Sequence, residues 1–238
     1  ILVLREGGKL NSHELDVDYP EPYIARSLTF ECPERAAAEG DVVRSLDEAA
    51  IRDIVAGFEA LGVEAVAVCL LWSVVNPAHE IRIGEIIAEM RPDLTGTLSH
   101  QLNPVLREYR RASATAIDAS LKPLMQQHLR DIQADLRDSG YGGQVLVATS
   151  FGGVMHVEDV IRQPIFLVRS GPALAPIAGI TYARVETGAS DGIVCDTGGT
   201  TFDVSLIRDG NPVFTRDTWL GGIWTGHCTG LSSVDVRS

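Results

Sequence analysis

The chain has 238 residues, of which 45% are hydrophobic and 22% charged, and its formal net charge is −12. That length and composition suit one large globular domain or two smaller ones, each with a sizeable core. The acidic balance argues against a nucleic-acid surface or an anionic membrane partner, and no apolar stretch approaches the roughly 18 residues of a membrane span.

In chain order, Ile1-Leu2-Val3-Leu4 reads as a strand entered midway, and residues 5 to 25 are loop-rich, with Gly7-Gly8 and Pro20-Glu21-Pro22. A strand is expected near Ser27 to Cys32. A helix follows, with Ser45 as N-cap and Glu48 completing a capping box. Ile51, Ile54, Val55, Phe58 and Leu61 share one face, and Gly62 supplies the stop. The near-continuous apolar run Val63 to Trp72 suits a strand buried in a largely parallel sheet. Asn76-Pro77 opens a second helix carrying Ile83, Ile86, Ile87 and Met90. A strand over Leu94 to His100 comes next. Pro104 to Leu136 is helical in pattern, with Pro123 expected to break or kink it. Arg107, Glu108 and Arg111 lie at helical spacing and read as surface ion pairs, with a buried arginine facing substrate as the alternative.

A further strand is expected over Gln144 to Thr149, a short helix and strand over 157 to 168, and a helix over Ile177 to Val185. Asp209-Gly210-Asn211 predicts a hairpin turn. Ser233 to Ser238 ends the chain in strand-like residues. The non-Met first residue and the two strand-like ends predict a fragment of a longer polypeptide. Alternating helices and strands make the class α/β.

Cys32, Cys69, Cys195 and Cys228 are far apart, with no Cys-x-x-Cys pair, and nothing at the start resembles a signal peptide; a reducing, cytoplasmic setting is expected. His100, His128, His156 and His227 are scattered singly, without the spacing of a metal pair. His227-Cys228 reads as loop.

The most informative run is Ile193-Val194-Cys195-Asp196-Thr197-Gly198-Gly199-Thr200-Thr201-Phe202-Asp203-Val204-Ser205, which predicts strand, tight turn, strand. Glycine at the turn lets backbone N–H groups approach a phosphate, since it tolerates positive φ and has no Cβ. The threonines add hydroxyl donors. Asp196 can hold a divalent cation, directly or through water, that bridges phosphate oxygens. No Walker-type Gly-x-x-x-x-Gly-Lys or dinucleotide Gly-x-Gly-x-x-Gly spacing is present. The remaining pattern, Asp-x-Gly-Gly-Thr-x-x-Asp, resembles that of actin-like ATPases.

Three further motifs stand in order before it: Arg107-Glu108-Tyr109-Arg110-Arg111-Ala112-Ser113-Ala114-Thr115, Thr149-Ser150-Phe151-Gly152-Gly153, and Arg169-Ser170-Gly171-Pro172-Ala173. Together they resemble the hydantoinase A / 5-oxoprolinase family, which includes ATP-binding subunits of acetone and acetophenone carboxylases. The resemblance implies an incomplete actin-like (ribonuclease H-like) α/β core of mixed sheets flanked by helices. Residues 1–118 would be the C-terminal part of the family's N-terminal domain, and 119–238 the first part of its ATPase domain. It implies ATP and Mg2+ as cofactors and a small carbonyl substrate, activated by phosphorylation for cyclic-amide hydrolysis or, alternatively, ketone carboxylation. A hydantoinase B type partner subunit and an oligomer are implied.

Asp196 would be the catalytic residue and magnesium ligand, holding the ion through water or organising the attacking group electrostatically. Gly198, Gly199, Thr200 and Thr201 would cradle phosphates, and Asp203 would hydrogen-bond the turn or orient a donor. Ser170, Gly171, Gly152 and Gly153 are candidates for substrate or cleft contacts, although a rigid turn, which Gly-Pro gives unaided, is the favoured reading of the first pair. The family's usual first Asp-x-Gly-Gly-Thr loop near the N-terminus is not in this sequence, so the chain is expected to hold half a site. Another actin-like ATPase, such as a small-molecule kinase, and a non-catalytic assembly module are the competing readings.

Overall fold

The computed structural model describes residues 21–222 and 226–237. The expected first strand and most of the first loop lie outside them, as does Ser238. The chain forms two compact units. One holds the residues up to Pro123 together with Trp219–Gly230; the other holds Leu124–Thr218 and the residues from Leu231 on.

In the first unit, a 3-10 turn at Arg26–Leu28 replaces the strand expected near Ser27. Strands β1 (Arg35–Ala36) and β2 (Val42–Arg44) pair antiparallel. Helix α1 (Glu48–Ala56) is capped two residues later than expected, because Asp47 and not Ser45 accepts the Ala50 N–H at 3.0 Å. It ends at Gly57, and Gly62 lies beyond it in a left-handed turn at φ 63°.

Strand β3 (Ala65–Val68) is shorter than the apolar run around it. Its continuation is diverted because the Leu70 N–H donates to a buried carboxylate of Glu80 at 2.8 Å instead of to a strand. Helix α2 (Ala78–Met90) begins where expected, with Asn76 Oδ1 accepting from the Ala78 N–H. Strand β4 (Thr95–Leu98) pairs parallel with β3, and the short α3 (Ser99–Leu102) follows. The apolar faces of α1 and α2 meet β3 in a core of Ile51, Val55, Phe58, Val68, Ile83, Ile86 and Ile87.

Helix α4 (Glu108–Asp138) runs through Pro123, which does not end it. Proline costs the helix one i→i−4 hydrogen bond. The turn before it is anchored by side chains: Lys122 Nζ donates to Gly96 O at 2.7 Å, and Asp118 accepts from Thr97 Oγ1 at 2.7 Å.

The second unit opens with β5 (Leu146–Ala148) and β6 (Val154–His156), an antiparallel pair. Helix α5 (Val157–Arg162) then leads into a 3-10 turn over Pro164–Leu167 where a strand is expected; the proline starts the turn. Val157, Val160 and Ile161 pack on Leu129 of α4. Helix α6 (Ser170–Glu186) starts seven residues earlier than the apolar pattern indicates and carries Pro176 inside it.

Strands β7 (Gly192–Thr197) and β8 (Phe202–Arg208) form the central hairpin, and β9 (Asn211–Pro212) turns back onto β8 through Asp209 (φ 51°) and Gly210 (φ 71°), the two left-handed positions of a type I′ turn. Strand β10 (Phe214–Thr215) follows. Strands β11 (Trp219–Leu220) and β12 (His227–Cys228) pair with each other in the first unit, so His227-Cys228 is strand and not loop. Strand β13 (Ser233–Val234) pairs with β10, and β14 (Val236–Arg237) adds to β8, giving the sheet order β14-β8-β7.

Ile86 is fully buried at the centre of the first unit's core. Ile86→Ala removes three carbons from a closed site and is expected to lower unfolding free energy by about 2–5 kcal/mol. Urea denaturation followed by circular dichroism measures it.

Candidate functional site

The four residues Gly198 to Thr201 join two strands that pair over six positions, with Asp196 directly opposite Asp203 and Thr197 opposite Phe202. Because side chains alternate along a strand, Asp196 and Asp203 share a face with the pairs Val194/Ser205 and Gly192/Ile207. That face meets α6. A Cβ on Gly179 would stand 2.5 Å from Val194 Cγ2 and 3.2 Å from Ile207 Cδ1, so helix and hairpin approach too closely there for any larger residue.

The contacts also fix the direction of α6. Near its C-terminus, Arg184 Nη2 donates to Gly210 O at 3.2 Å, at the end of the hairpin where β7 begins. Gly179, earlier in the helix, meets Val194, further along β7. The helix therefore runs antiparallel to β7, and its N-terminus, Ser170 and Gly171, points to the end of the unit that carries the Gly198–Thr201 loop. The positive end of the helix dipole and its unpaired N–H groups face that end. Arg169 precedes the helix at φ 63° and is held there by Nη2 donating to Val236 O at 2.7 Å.

Within the loop, the Gly198 N–H donates to Thr201 O at 2.9 Å and the Thr201 hydroxyl donates to Asp203 Oδ2 at 3.0 Å. Neither Gly198 nor Gly199 takes positive φ. Glycine's conformational freedom is therefore not what the turn uses. What Gly199 provides is room: a Cβ there would meet nothing within 4 Å. Residues 195–202 are exposed, whereas Asp203 is buried.

Gly152 and Gly153 sit in the turn between β5 and β6, and their roles differ. Gly152 has φ 72°, and a Cβ would lie 3.0 Å from Ile177 Cδ1 and 3.1 Å from Val234 Cγ2, so this glycine is required by backbone and packing. Gly153 has open space around it. The turn is tied in by the Ser150 N–H, which donates to Phe166 O, and by Ser150 O, which accepts from the Val234 N–H.

Among the described residues, no group of three or more His, Cys, Asp or Glu side chains is arranged to hold a metal ion. Magnesium does not require one, since it binds commonly through one or two carboxylates, phosphate oxygens and water. A single exposed Asp196 with a second carboxylate across the strand fits that mode.

Arg111 is not on the surface. It is 1% exposed, with Nε donating to Ser99 Oγ at 3.0 Å, Nη1 to Val105 O at 3.0 Å and Nη2 to Leu70 O. Ser99 in turn donates to Glu80 Oε1 at 2.6 Å, and Glu80 Oε2 accepts the His100 N–H at 3.1 Å and lies 2.7 Å from His100 Nδ1. Helical spacing cannot tell an outward charged stripe from an inward one. The available signal was the polar series Arg111, Thr115, Asp118, Lys122 set among the small and apolar residues Ala112, Ala114, Ala116, Ile117, Ala119 and Leu121, which places one polar stripe on an otherwise apolar stretch of the helix. In that stripe, burial pushes the Lys122 ammonium below the usual lysine range, against the pull of Asp118.

The chain belongs to the hydantoinase/oxoprolinase family. Residues 111–237 match that family's model, and residues 3–91 match the model of its N-terminal region. It is 33% identical over 219 residues to the caprolactamase subunit alpha of Pseudomonas jessenii, a match covering 91% of this chain and 31% of that protein. It is 34% identical over 231 residues to the acetophenone carboxylase gamma subunit of Aromatoleum aromaticum, covering 92% of this chain and 30% of the relative. The crystal structure of the ATP-dependent caprolactamase from Pseudomonas jessenii superposes with a TM-score of 0.82 at 30% identity, over 99% of this chain and 34% of that one. The chain thus spans about a third of the length of the curated relatives it matches. The observed α/β architecture of small sheets flanked by helices is the class the motif resemblance implies, but among the described residues no sheet is itself mixed: β3–β4 is parallel and the other pairings are antiparallel. Among the described residues, no helix is long and apolar enough to cross a membrane.

Gly152→Ala is expected to destabilise the protein by about 1–3 kcal/mol, since it combines a left-handed backbone with a tight contact, whereas Gly153→Ala stays within about 0.5 kcal/mol of wild type. Thermal or urea unfolding of the two variants side by side checks the difference.

Proposed function

We propose that the polypeptide to which this chain belongs uses ATP to phosphorylate a carbonyl oxygen, and that its reaction is the hydrolysis of a cyclic amide. The observation that carries the proposal is the hairpin that sets Asp196 opposite Asp203 beside an unencumbered Gly199, in a chain similar to an ATP-dependent caprolactamase. Transfer of the γ-phosphoryl group to the amide oxygen yields ADP and makes the carbonyl carbon open to water, after which the ring C–N bond breaks and phosphate leaves.

In this reading, the N–H groups of Gly199 and Thr200 donate to phosphate oxygens, with the Thr200 hydroxyl beside them. Gly198 and Thr201 contribute differently from a simple cradle: their mutual hydrogen bond shapes the loop, and Thr201 is held by Asp203. Donors fixed before the reaction stabilise charge without rearranging. Asp196 would hold a hydrated magnesium ion, which when bound would supply neutralisation of phosphate charge. Ser170 and Gly171 bring the positive end of α6 toward the same end of the unit, which favours an anion there. Gly153, with open space around it, is the better of the two β5–β6 glycines for a substrate contact.

We place the division between the N-terminal and ATPase domains near residue 118, close to the unit boundary at Pro123, although the second family match begins seven residues earlier, at residue 111. A partner of the hydantoinase B type completes the enzyme, in keeping with relatives named as alpha and gamma subunits. None of the four cysteines is in a disulfide, which suits a reducing cytoplasm. Ketone carboxylation is the second reading, favoured by the comparable identity to the acetophenone carboxylase gamma subunit.

Asp196→Ala in the full gene product with its partner subunit is expected to remove substrate-stimulated ATP hydrolysis while leaving the melting temperature unchanged, because Asp196 is exposed. Gly199→Ala, which meets no neighbour, should also leave stability intact and lower turnover at least about tenfold, roughly 1.4 kcal/mol of transition-state stabilisation. A panel of lactams, hydantoins and oxoproline, and ketones with bicarbonate, identifies the substrate. Wild-type turnover in both variants refutes the site. Because the loop is open to solvent in this chain, residues 1–238 alone are expected to bind ATP with a Kd above about 0.1 mM by calorimetry, about 5 kcal/mol or less.

A further inference from the structure

One imidazole nitrogen is left open at the carboxyl end of the parallel strand pair. Strands β3 and β4 run in the same direction and end level, at Val68 and Leu98, and the chain continues from them into Leu70 and into Ser99-His100. The carboxyl ends of parallel strands are where open α/β sheets receive ligands. There Glu80 accepts from the Leu70 N–H and the Ser99 hydroxyl at Oε1, and from the His100 N–H at Oε2. These three donors pair both oxygens of the fully buried carboxylate without the imidazole. The further contact, 2.7 Å from His100 Nδ1 to Oε2, therefore holds the ring and is not needed to satisfy the acid. Because Oε2 is an acceptor here, Nδ1 carries the hydrogen and Nε2 keeps its lone pair. Among the described residues nothing is bonded to Nε2, and that nitrogen is not buried, although the side chain is only 13% exposed.

The backbone on either side of this histidine is strained. Trp72, at φ 60°, and Arg107, at φ 77°, take the left-handed conformation that bulky residues rarely adopt. Each stands two residues beyond a carbonyl held by Arg111, Leu70 O in one case and Val105 O in the other. One buried guanidinium so clamps both loops, and through Ser99 it also supports Glu80. Strain of this kind persists only where the surroundings over-determine it, and it gathers at sites that bind or react.

We propose that His100 is the general base of the reaction, with Glu80 as its positioning residue. This rests on the reading that a carbonyl oxygen is phosphorylated. An amide oxygen attacks phosphorus better as the neighbouring ring nitrogen gives up its proton. His100 Nε2 takes that proton while the oxygen–phosphorus bond forms, the bond to the departing ADP breaks and the C–N bond becomes C=N. Water then adds across C=N, placing its hydroxyl on carbon and its other hydrogen on nitrogen. Nε2 returns the held proton to the nitrogen as the ring C–N bond breaks, and the hydroxyl proton passes to solvent. The acyl phosphate that remains is opened by a second water. A ketone carries an α-hydrogen in the equivalent place, so the same base serves either substrate class. A fixed base in hydrogen-bond contact with its own orienting carboxylate is the arrangement such proton transfer needs.

The test uses the full gene product with its partner subunit. His100→Asn keeps an N–H for Glu80 and deletes Nε2. It is expected to leave the melting temperature unchanged and to lower substrate-stimulated ATP hydrolysis at least about 100-fold, the loss typical of a missing general base. In His100→Ala, added imidazole should restore turnover, whereas triazole, close in shape but a far weaker base, should not. The N-methyl derivative of a cyclic amide substrate, or a ketone without α-hydrogens, has no proton to give up and should not stimulate ATP hydrolysis.

Turnover within about threefold of wild type in His100→Asn overturns the inference and leaves the phosphorylation reading standing. Equal rescue by triazole and imidazole does the same, since it assigns His100 a space-filling role, and so does an N-methyl amide that works as well as its parent. A wild-type protein whose ATP hydrolysis no carbonyl compound stimulates overturns the phosphorylation reading and this inference with it. Should either variant fail to fold, the compounds without a removable proton decide the matter.

Discussion

The arrangement of the second unit depends on a single pairing, the antiparallel register of β7 with β8, held against α6 at Gly179. A slip of one residue would turn every side chain to the opposite face. Ile207 would leave α6 and Asp203 would leave its buried position, so the register is enforced by burial on one side and by the Gly198–Thr201 hydrogen bond at the turn. Its chemical consequence is two carboxylates opposite one another near the end of a hairpin. Like charges in that position oppose pairing. Asp203 is partly compensated by the Thr201 hydroxyl; Asp196 is exposed and stays hydrated. A hydrated cation at this position would relieve the remaining repulsion, and this is the physical support for the proposed magnesium role.

The first unit has a different kind of constraint. Glu80, Ser99, His100 and Arg111 form one buried polar cluster joining α2, α3 and α4, with Leu70 and Val105 contributing backbone carbonyls. Each donor is aimed at an acceptor within the network. Removing one member of such a cluster leaves a charge without its partner in a dry site, which typically costs about 3–5 kcal/mol. The same cluster explains why β3 stops short: Leu70 gives its N–H to Glu80 and its carbonyl to Arg111, so the chain cannot continue as a strand.

Much of the fold was legible in the sequence wherever periodicity met a clear punctuation mark. Helix α2 starts at Asn76-Pro77, Asp209-Gly210 makes a hairpin, and the Asp196 run is strand, turn and strand. The failures have specific causes. Asp47 outcompeted Ser45 as a cap because its carboxylate reaches the third N–H of the helix. Pro123 lies in a helix that is anchored on β4 just before it. Pro172 and Pro176 concealed the first two turns of α6, although proline is tolerated near a helix start. Arg111 shows the limit of helical spacing, which gives neighbours along one face but not the direction that face points. Gly152 and Gly153 are alike in sequence, yet only the first has a left-handed backbone and a packed neighbour on its Cβ side.

The sequence by itself determined the family, through four motifs in fixed order, and the local shape of the candidate loop, because glycines, threonines and flanking β-branched residues act over a few positions. Only the tertiary structure decided that α6 runs antiparallel to β7, which brings Ser170 and Gly171 to the loop's end of the unit. It alone distinguished the loop donors already in use from those left open, and buried Arg111 while leaving Nε2 of His100 open. These outcomes depend on contacts between residues far apart in the chain, and such contacts follow from packing, on which local pattern is silent.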